Sequence, residues 1–226
     1  MNKRERVSQI LSRLEYTGED LLDLSDDIWL GIDHNNPDEL EEGVAFKREY
    51  NKAMTEFARV SENIQRLIAD FTQVKADDEA TPADADSDNI EHERIIRELD
   101  RTESHTLDED FRYKRPFGFV FKDHAVKDLR TWRAVYEHAC HMLVRLQGEA
   151  FKRVTVADEF ATNRGNRIFA DTGENMRLGV EISPGLFAEM NFSANDIRDR
   201  IKELLTFFGY DWGLFIVYLR EDRDAD

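Results

Sequence analysis

Cysteine is almost missing from this chain: Cys140 stands alone among 226 residues. One thiol closes no internal disulfide, which fits a reducing compartment. No apolar run approaches the roughly 18–20 residues that cross a bilayer. The N-terminus is charged at once (Lys3, Arg4, Glu5, Arg6) and has no apolar segment of the secretory kind. The expectation is a cytoplasmic protein with no membrane contact. Signature loops are also missing. There is no GxxxxGK[ST] phosphate loop, no GxGxxG after a strand, no GxSxG elbow, no HExxH and no CxxC. Nothing in the sequence calls for an enzyme or a cofactor.

Charge is plentiful and unevenly placed. The net charge is −17, with 35% charged and 41% hydrophobic residues. Residues 1–75 hold 10 Lys/Arg against 16 Asp/Glu, giving −6, and residues 76–110 hold 3 against 14, giving −11. Residues 111–226 hold 18 of each. A polyanion would be repelled by the front of the chain, while the neutral back half is free to carry basic patches.

The first 74 residues predict a long antiparallel helical hairpin of coiled-coil type. Val7, Leu14, Leu21 and Ile28 repeat every seven residues, with Ile10, Thr17 and Leu24 as partner positions. The second helix repeats Tyr50, Phe57, Ile64 and Phe71 with Phe46, Ala53, Val60 and Leu67. Between them lie Gly31 and Asp33-His34-Asn35-Asn36-Pro37, then Glu39. That order suits a turn, an N-cap, a first-turn proline and a capping box. Leu11, Leu22, Trp29, Leu30, Met54 and Ile68 fall beside the seam. Two helices bury only one seam, so the surplus predicts a further contact: self-association into a four-helix bundle is the simplest, packing on the chain's own C-terminal domain is the plainer alternative, and a partner protein is the third. Trp29, His34, Tyr50 and Phe57 are the candidate partner-binding residues, and a homodimer through residues 1–74 is the expected assembly. Asp26-Asp27 reads as a solvated face.

Residues 75–110 read as an acidic linker, with a short helix from Ile90 to Leu99. An α+β module follows over 111–221, then an acidic tail, 222–226. Pro116–Phe121 is a strand with aromatics at period two, and a return strand follows Lys122-Asp123-His124. A helix is expected from Asp128 to Gln147, then a loop over Thr155–Asn166 and a short strand at Arg167–Ala170. Leu178–Ile182 and Leu186–Phe192 flank the turn Ser183-Pro184-Gly185. Ser193 and Asp196 start a helix with Ile197, Ile201, Leu204, Leu205 and Phe208 on one face, and Gly209 ends it. Leu214–Leu219 is nearly all apolar, as a central strand covered on both faces would be. The order predicts a mostly antiparallel sheet with two main helices. Were the last two strands adjacent and parallel, their crossover would be right-handed.

Candidate chemistry is sparse. Arg112-Tyr113-Lys114-Arg115 and Asn163-Arg164-Gly165-Asn166-Arg167 are the anion-binding candidates, since cations beside an aromatic contact phosphate and stack a base. The same charges can instead solvate a strand edge. His138, Cys140 and His141 share the long helix, but no second ligand pair completes a zinc set. Cys140 reads as a small packed residue. Glu181 and Glu189 lie on neighbouring strands, where paired carboxylates hold Mg²⁺ in some nucleases, yet the Glu-x-Lys spacing is absent because Asn191 follows Glu189.

Residues 112–221 carry the phrases RPFGFVF and PGLFAEMNFSANDIRDRIKELLTFFGYD. These resemble a C-terminal module of uncharacterised prokaryotic proteins, some associated with restriction or phage defence, in which Leu-Ser-Ala-Asn precedes a helix ending in Phe-Gly. The resemblance implies no catalytic residue.

The resulting expectation is a non-enzymatic adaptor. The hairpin self-associates or docks a protein, and the module recognises a macromolecule, nucleic acid first, through Arg112, Tyr113, Lys114, Arg115, Arg164 and Arg167. The alternatives are a protein-only scaffold or regulator of a partner ATPase or nuclease, a metal-dependent nuclease using Glu181 and Glu189, and an acidic mimic of nucleic acid.

Overall fold

The computed structural model describes residues 3–73, 88–161 and 167–220. The centre of the predicted linker, the loop holding Arg164 and the acidic tail lie outside the described residues.

Helices α1 (Lys3–Leu30) and α2 (Pro37–Thr72) form the antiparallel pair. Asn36 caps α2: its Oδ1 accepts from Asp38 N at 3.2 Å, with Pro37 in the first turn. Glu39 completes the turn by accepting from Asp33 N and Asn36 Nδ2, at 3.2 and 2.9 Å. The orphan N–H of Asp38 in the first turn is thereby satisfied locally.

The α+β part starts earlier than Phe111. Helix α3 (Asp88–Leu99) and strand β1 (Ser104–Thr106) belong to it, and Leu99 and Leu107 are fully buried. Strands β2 (Pro116–Phe121), β3 (His124–Lys127) and β7 (Phe215–Leu219) join β1 in an antiparallel sheet of order β1-β7-β2-β3. Strands β4 (Phe169–Ala170), β5 (Gly179–Ser183) and β6 (Leu186–Glu189) make a second sheet of order β4-β6-β5. The last two strands therefore lie in different sheets and share no crossover. The β5–β6 turn places Gly185 at φ 69°, where a residue without Cβ is unstrained.

Helix α4 (Trp132–Gln147) begins later than Asp128, because Asp128 takes φ 64° and Thr131 supplies the cap to Ala134 N. Helix α5 (Ala194–Phe207) is capped by Ser193 toward Asp196 N, and Tyr210 N returns to Leu205 O past Gly209 at φ 74°. The main core joins both sheets to α4 and α5, with Phe119, Phe121, Phe215, Trp132 and Tyr136 fully enclosed. Phe119 stacks on Phe215 at 4.7 Å. A smaller cluster lies behind the first sheet, where α3 packs Ile95 and Leu99 against Ala125 and Tyr218. Strand β7 is apolar throughout because α3 covers the face that α4 does not.

Candidate interaction surfaces

Helix α1 meets the module along one face. Glu19, Asp23 and Asp27 follow one another at four-residue spacing, which puts them on one side of a helix. Glu19 Oε1 accepts from Trp132 N at 2.5 Å and Arg133 N at 3.2 Å, at the start of α4. Asp23 Oδ1 accepts from Ala194 N, the first residue of α5, at 3.0 Å, while Oδ2 accepts from Tyr113 N at 2.9 Å. Asp27 pairs with Arg112 and accepts from Tyr113 Oη at 2.7 Å. Arg115 donates to Asp20 at 2.6 Å and lies over the Tyr16 ring, 4.6 Å from its centroid. Arg130 reaches Ser8 and Ser12 at 3.2 and 3.1 Å.

Among the described residues, the anion-binding candidates Arg112, Tyr113, Arg115 and Arg167 thus have hydrogen-bond or ion-pair partners inside the chain. Arg112 is shared between Asp27 and Asp110, and Arg115 between Asp20 and Glu19. Their neighbours show it: Arg112 holds the Asp110 carboxyl far below its usual range, and its own guanidinium is pushed up in return. Lys114 remains exposed, its ammonium 5.8 Å from the Phe111 ring centroid, and its carbonyl accepts from Trp132 Nε1. Arg167 donates to Ala157 O at 2.7 Å and so closes its own loop. Asp26-Asp27 is not simply solvated: Asp26 pairs with Lys47 at 2.8 Å, and Asp27 docks the module. Glu19, Asp20 and Asp23 went unnoticed in the sequence, and Asp27 was read as solvated. The four-residue spacing of Glu19, Asp23 and Asp27, matched to the Arg112–Arg115 run, was the available signal.

Burial sets the protonation of this junction. Loss of solvent raises Glu19 to about 8, against the N–H groups of Arg133 and Trp132 and the charge of Arg115. The same cause raises Asp23 to about 6. Between hairpin and module, Leu14, Leu22, Met54, Phe57, Phe192 and Glu19 line a small cavity of about 70 Å³.

The predicted partner-binding residues divide. Trp29 and His34 meet at the hairpin tip, ring centroids 5.3 Å apart. Tyr50 lies inside the hairpin and donates to Leu21 O at 2.8 Å, and Phe57 fills the space beside Gly18. These two hold the hairpin together. Coverage of the apolar positions departs from the heptad reading: Leu11 and Met54, placed beside the seam, are buried at 1% and 5% exposure. Half of the predicted seam is instead open. Ile10, Leu24 and Ile28 on α1 and Phe46, Val60, Ile64, Leu67 and Phe71 on α2 are exposed, from 37% at Phe46 to 87% at Phe71. At about 100° per residue, Ile10 and Leu24 lie roughly 100–180° round α1 from Glu19 and Asp23, away from the module.

The carboxylates considered for metal serve the backbone. Glu189 accepts from Arg177 N, Leu178 N and Asn191 N at 2.7, 3.0 and 2.9 Å, and Glu181 from Gly185 N at 2.9 Å. Leu186, Ala188 and Met190 point into the core, so Glu189 lies on the other face of its strand. Cys140 is buried, with its thiol pushed up by burial. His141 and Glu137 approach to 3.8 Å, and no group of three or more metal-capable side chains forms among the described residues. Among the same residues, no helix is long and apolar enough to cross a membrane.

Comparison with known protein families, curated proteins and solved structures finds no match to this chain.

Proposed function

We propose that the protein is a non-enzymatic interaction protein, which self-associates through the hairpin and holds the α+β module in a fixed position as its recognition part. The open apolar row on α1 and α2 carries this reading. With side chains of roughly 150–220 Å² each, the exposed fractions leave on the order of 700 Å² uncovered. That exceeds the roughly 300–600 Å² of a typical monomer's largest patch and approaches the ~800 Å² per partner of a standard interface. The pairing of Arg112 and Arg115 with α1 favours a protein over a nucleic acid as the ligand of the module. Phosphate contact there would require those cations to exchange partners.

Analytical ultracentrifugation tests the assembly. The full chain is expected to sediment as a dimer at micromolar concentration. Val60→Glu with Leu67→Glu is expected to yield a monomer of unchanged helical content. A wild-type monomer at 100 µM, or a variant that stays dimeric, overturns the reading.

A further inference from the structure

The uncovered row is edged by charge, and the charge differs between the two helices. On α1 the positions at seven-residue spacing along its outer edge are Arg6, Arg13, Asp20 and Asp27, the last of these paired with Arg112; on α2 they are Glu42, Glu49, Glu56, Asn63 and Asp70. Arg6, Arg13, Glu42, Glu49, Glu56, Asn63 and Asp70 are exposed, and Asp20 is taken by Arg115. Positions seven apart stay on one side of a helix over several turns. The hairpin therefore presents an apolar row with a basic border along the base of α1 and an acidic border along α2.

A second hairpin can cover that row with a two-fold axis in two ways. Tip-to-base packing sets α2 against α2, so that Glu42, Glu49, Glu56 and Asp70 face the same acidic border, and like charges repel. With the axis along the helices and both tips at one end, α1 lies on α2 of the other copy.

We propose that the occupant of the row is a second copy in this second arrangement, hairpins side by side with tips together. The inference rests on reading the row as the assembly surface. Rotation about that axis preserves height, and the hairpin's own contacts give the heights: Gly18 is level with Phe57, and Leu21 with Tyr50. Ile10 then meets the Ile64–Leu67 stretch of the partner subunit, and Ile28 meets Phe46 of the partner subunit. Arg6 comes opposite Asp70 of the partner subunit, and Arg13 lies between Asn63 of the partner subunit and Glu56 of the partner subunit. Every neighbouring pair in the resulting four-helix bundle runs antiparallel, as packing at about 20° favours. The modules project from opposite sides of the bundle.

Single-cysteine cross-linking decides the arrangement, with buried Cys140 as a silent background and the parent protein as control. Ile10→Cys and Leu67→Cys proteins are mixed and oxidised. The mixture should give at least fivefold more covalent dimer than either protein alone. Efficient cross-linking of Val60→Cys by itself would instead place α2 on α2 and overturn the proposal. In parallel, Arg6→Glu with Arg13→Glu should weaken the dimer about tenfold at low salt, and Glu56→Arg with Asp70→Arg should restore it. A dimer unmoved by the first pair also overturns the arrangement. A wild-type dimer with the wrong cross-links removes this arrangement alone, whereas a wild-type monomer removes the assembly surface with it.

Discussion

Glu19 and Asp23 stand one turn apart on α1, and each caps a different helix of the module. Glu19 takes the first N–H groups of α4, and Asp23 takes that of α5 together with Tyr113 N. Helix N-termini carry unsatisfied N–H donors, and a carboxyl oxygen placed there satisfies them. The hairpin thus acts as a strut that closes two helix starts of the module.

Loss of one cap should show this. Asp23→Ala leaves two backbone N–H groups without an acceptor, one of them in a buried position. We expect a loss of about 2–3 kcal/mol of stability, measured by urea unfolding of the full chain. Asp23→Asn retains an acceptor oxygen and should lose less than half of that. Equal losses in both variants would mean that charge, and not the N–H contacts, holds the junction.

The same carboxylates give stability an inverted pH dependence in one window. Glu19 is raised to about 8 and Asp23 to about 6. Between the ordinary carboxylate range and those values the folded chain binds more protons than the unfolded one, so stability falls as pH rises. The contribution is complete below about pH 4 and lost above about pH 8. Asp110 and Glu109 act in the opposite sense, because their lowered values make stability disappear in acid. Urea midpoints at pH 5, 6.5 and 8 should decline across this series. Glu19→Gln, which resembles the protonated form, should remove at least half of the decline. A midpoint that rises from pH 5 to 8 in both proteins would show Glu19 ionised in the fold.

The elements were legible in the sequence where local rules decide them. Asn36-Pro37-Asp38-Glu39, Ser193 with Asp196, and Gly209 all do what capping chemistry requires, and the seven-residue repeats placed both long helices. What did not show was which apolar face the module covers. Leu11 and Met54 are buried at the junction while Ile10 and Val60 stay open, and a heptad pattern treats such neighbours by position, not by contact. The reach of the α+β part was hidden for a related reason. Acidic composition made residues 88–110 look like spacer, but Leu99 and Leu107 anchor that stretch in the fold. Arg112 and Arg115 were visible as neighbouring cations, but their carboxylate partners on α1, Asp27 and Asp20, lie 85 and 95 residues upstream on another element.

That pairing has a measurable effect on nucleic-acid affinity. With Arg112 and Arg115 engaged by α1, the full chain should bind a short DNA duplex no more tightly than about 100 µM at 150 mM salt. Asp20→Asn with Asp27→Asn removes two opposing charges and should strengthen binding several-fold, with a steeper salt dependence. Fluorescence anisotropy across a salt series measures both. Tight wild-type binding unchanged in the variant would mean that the paired arginines do not limit nucleic-acid contact.

Helix α3 supplies the last expected outcome, because it decides where the module begins. His92 is buried against the edge strand, its Nδ1 2.9 Å from Ala125 O and 3.1 Å from Ala125 N. Lys127 of the same strand pairs with Glu98 of α3. The helix therefore covers one face of the sheet through Ile95 and Leu99 and is attached to its β3 edge through His92. His92→Ala removes the attachment and leaves one Ala125 backbone group, the one His92 Nδ1 bonds in its tautomer, without that partner, at a cost of about 1–3 kcal/mol. Hydrogen exchange should then accelerate first in α3 and β3, ahead of α4 and α5, because the smaller cluster opens without the main core. Were α3 only part of a spacer, the variant would match the parent in both unfolding midpoint and exchange pattern.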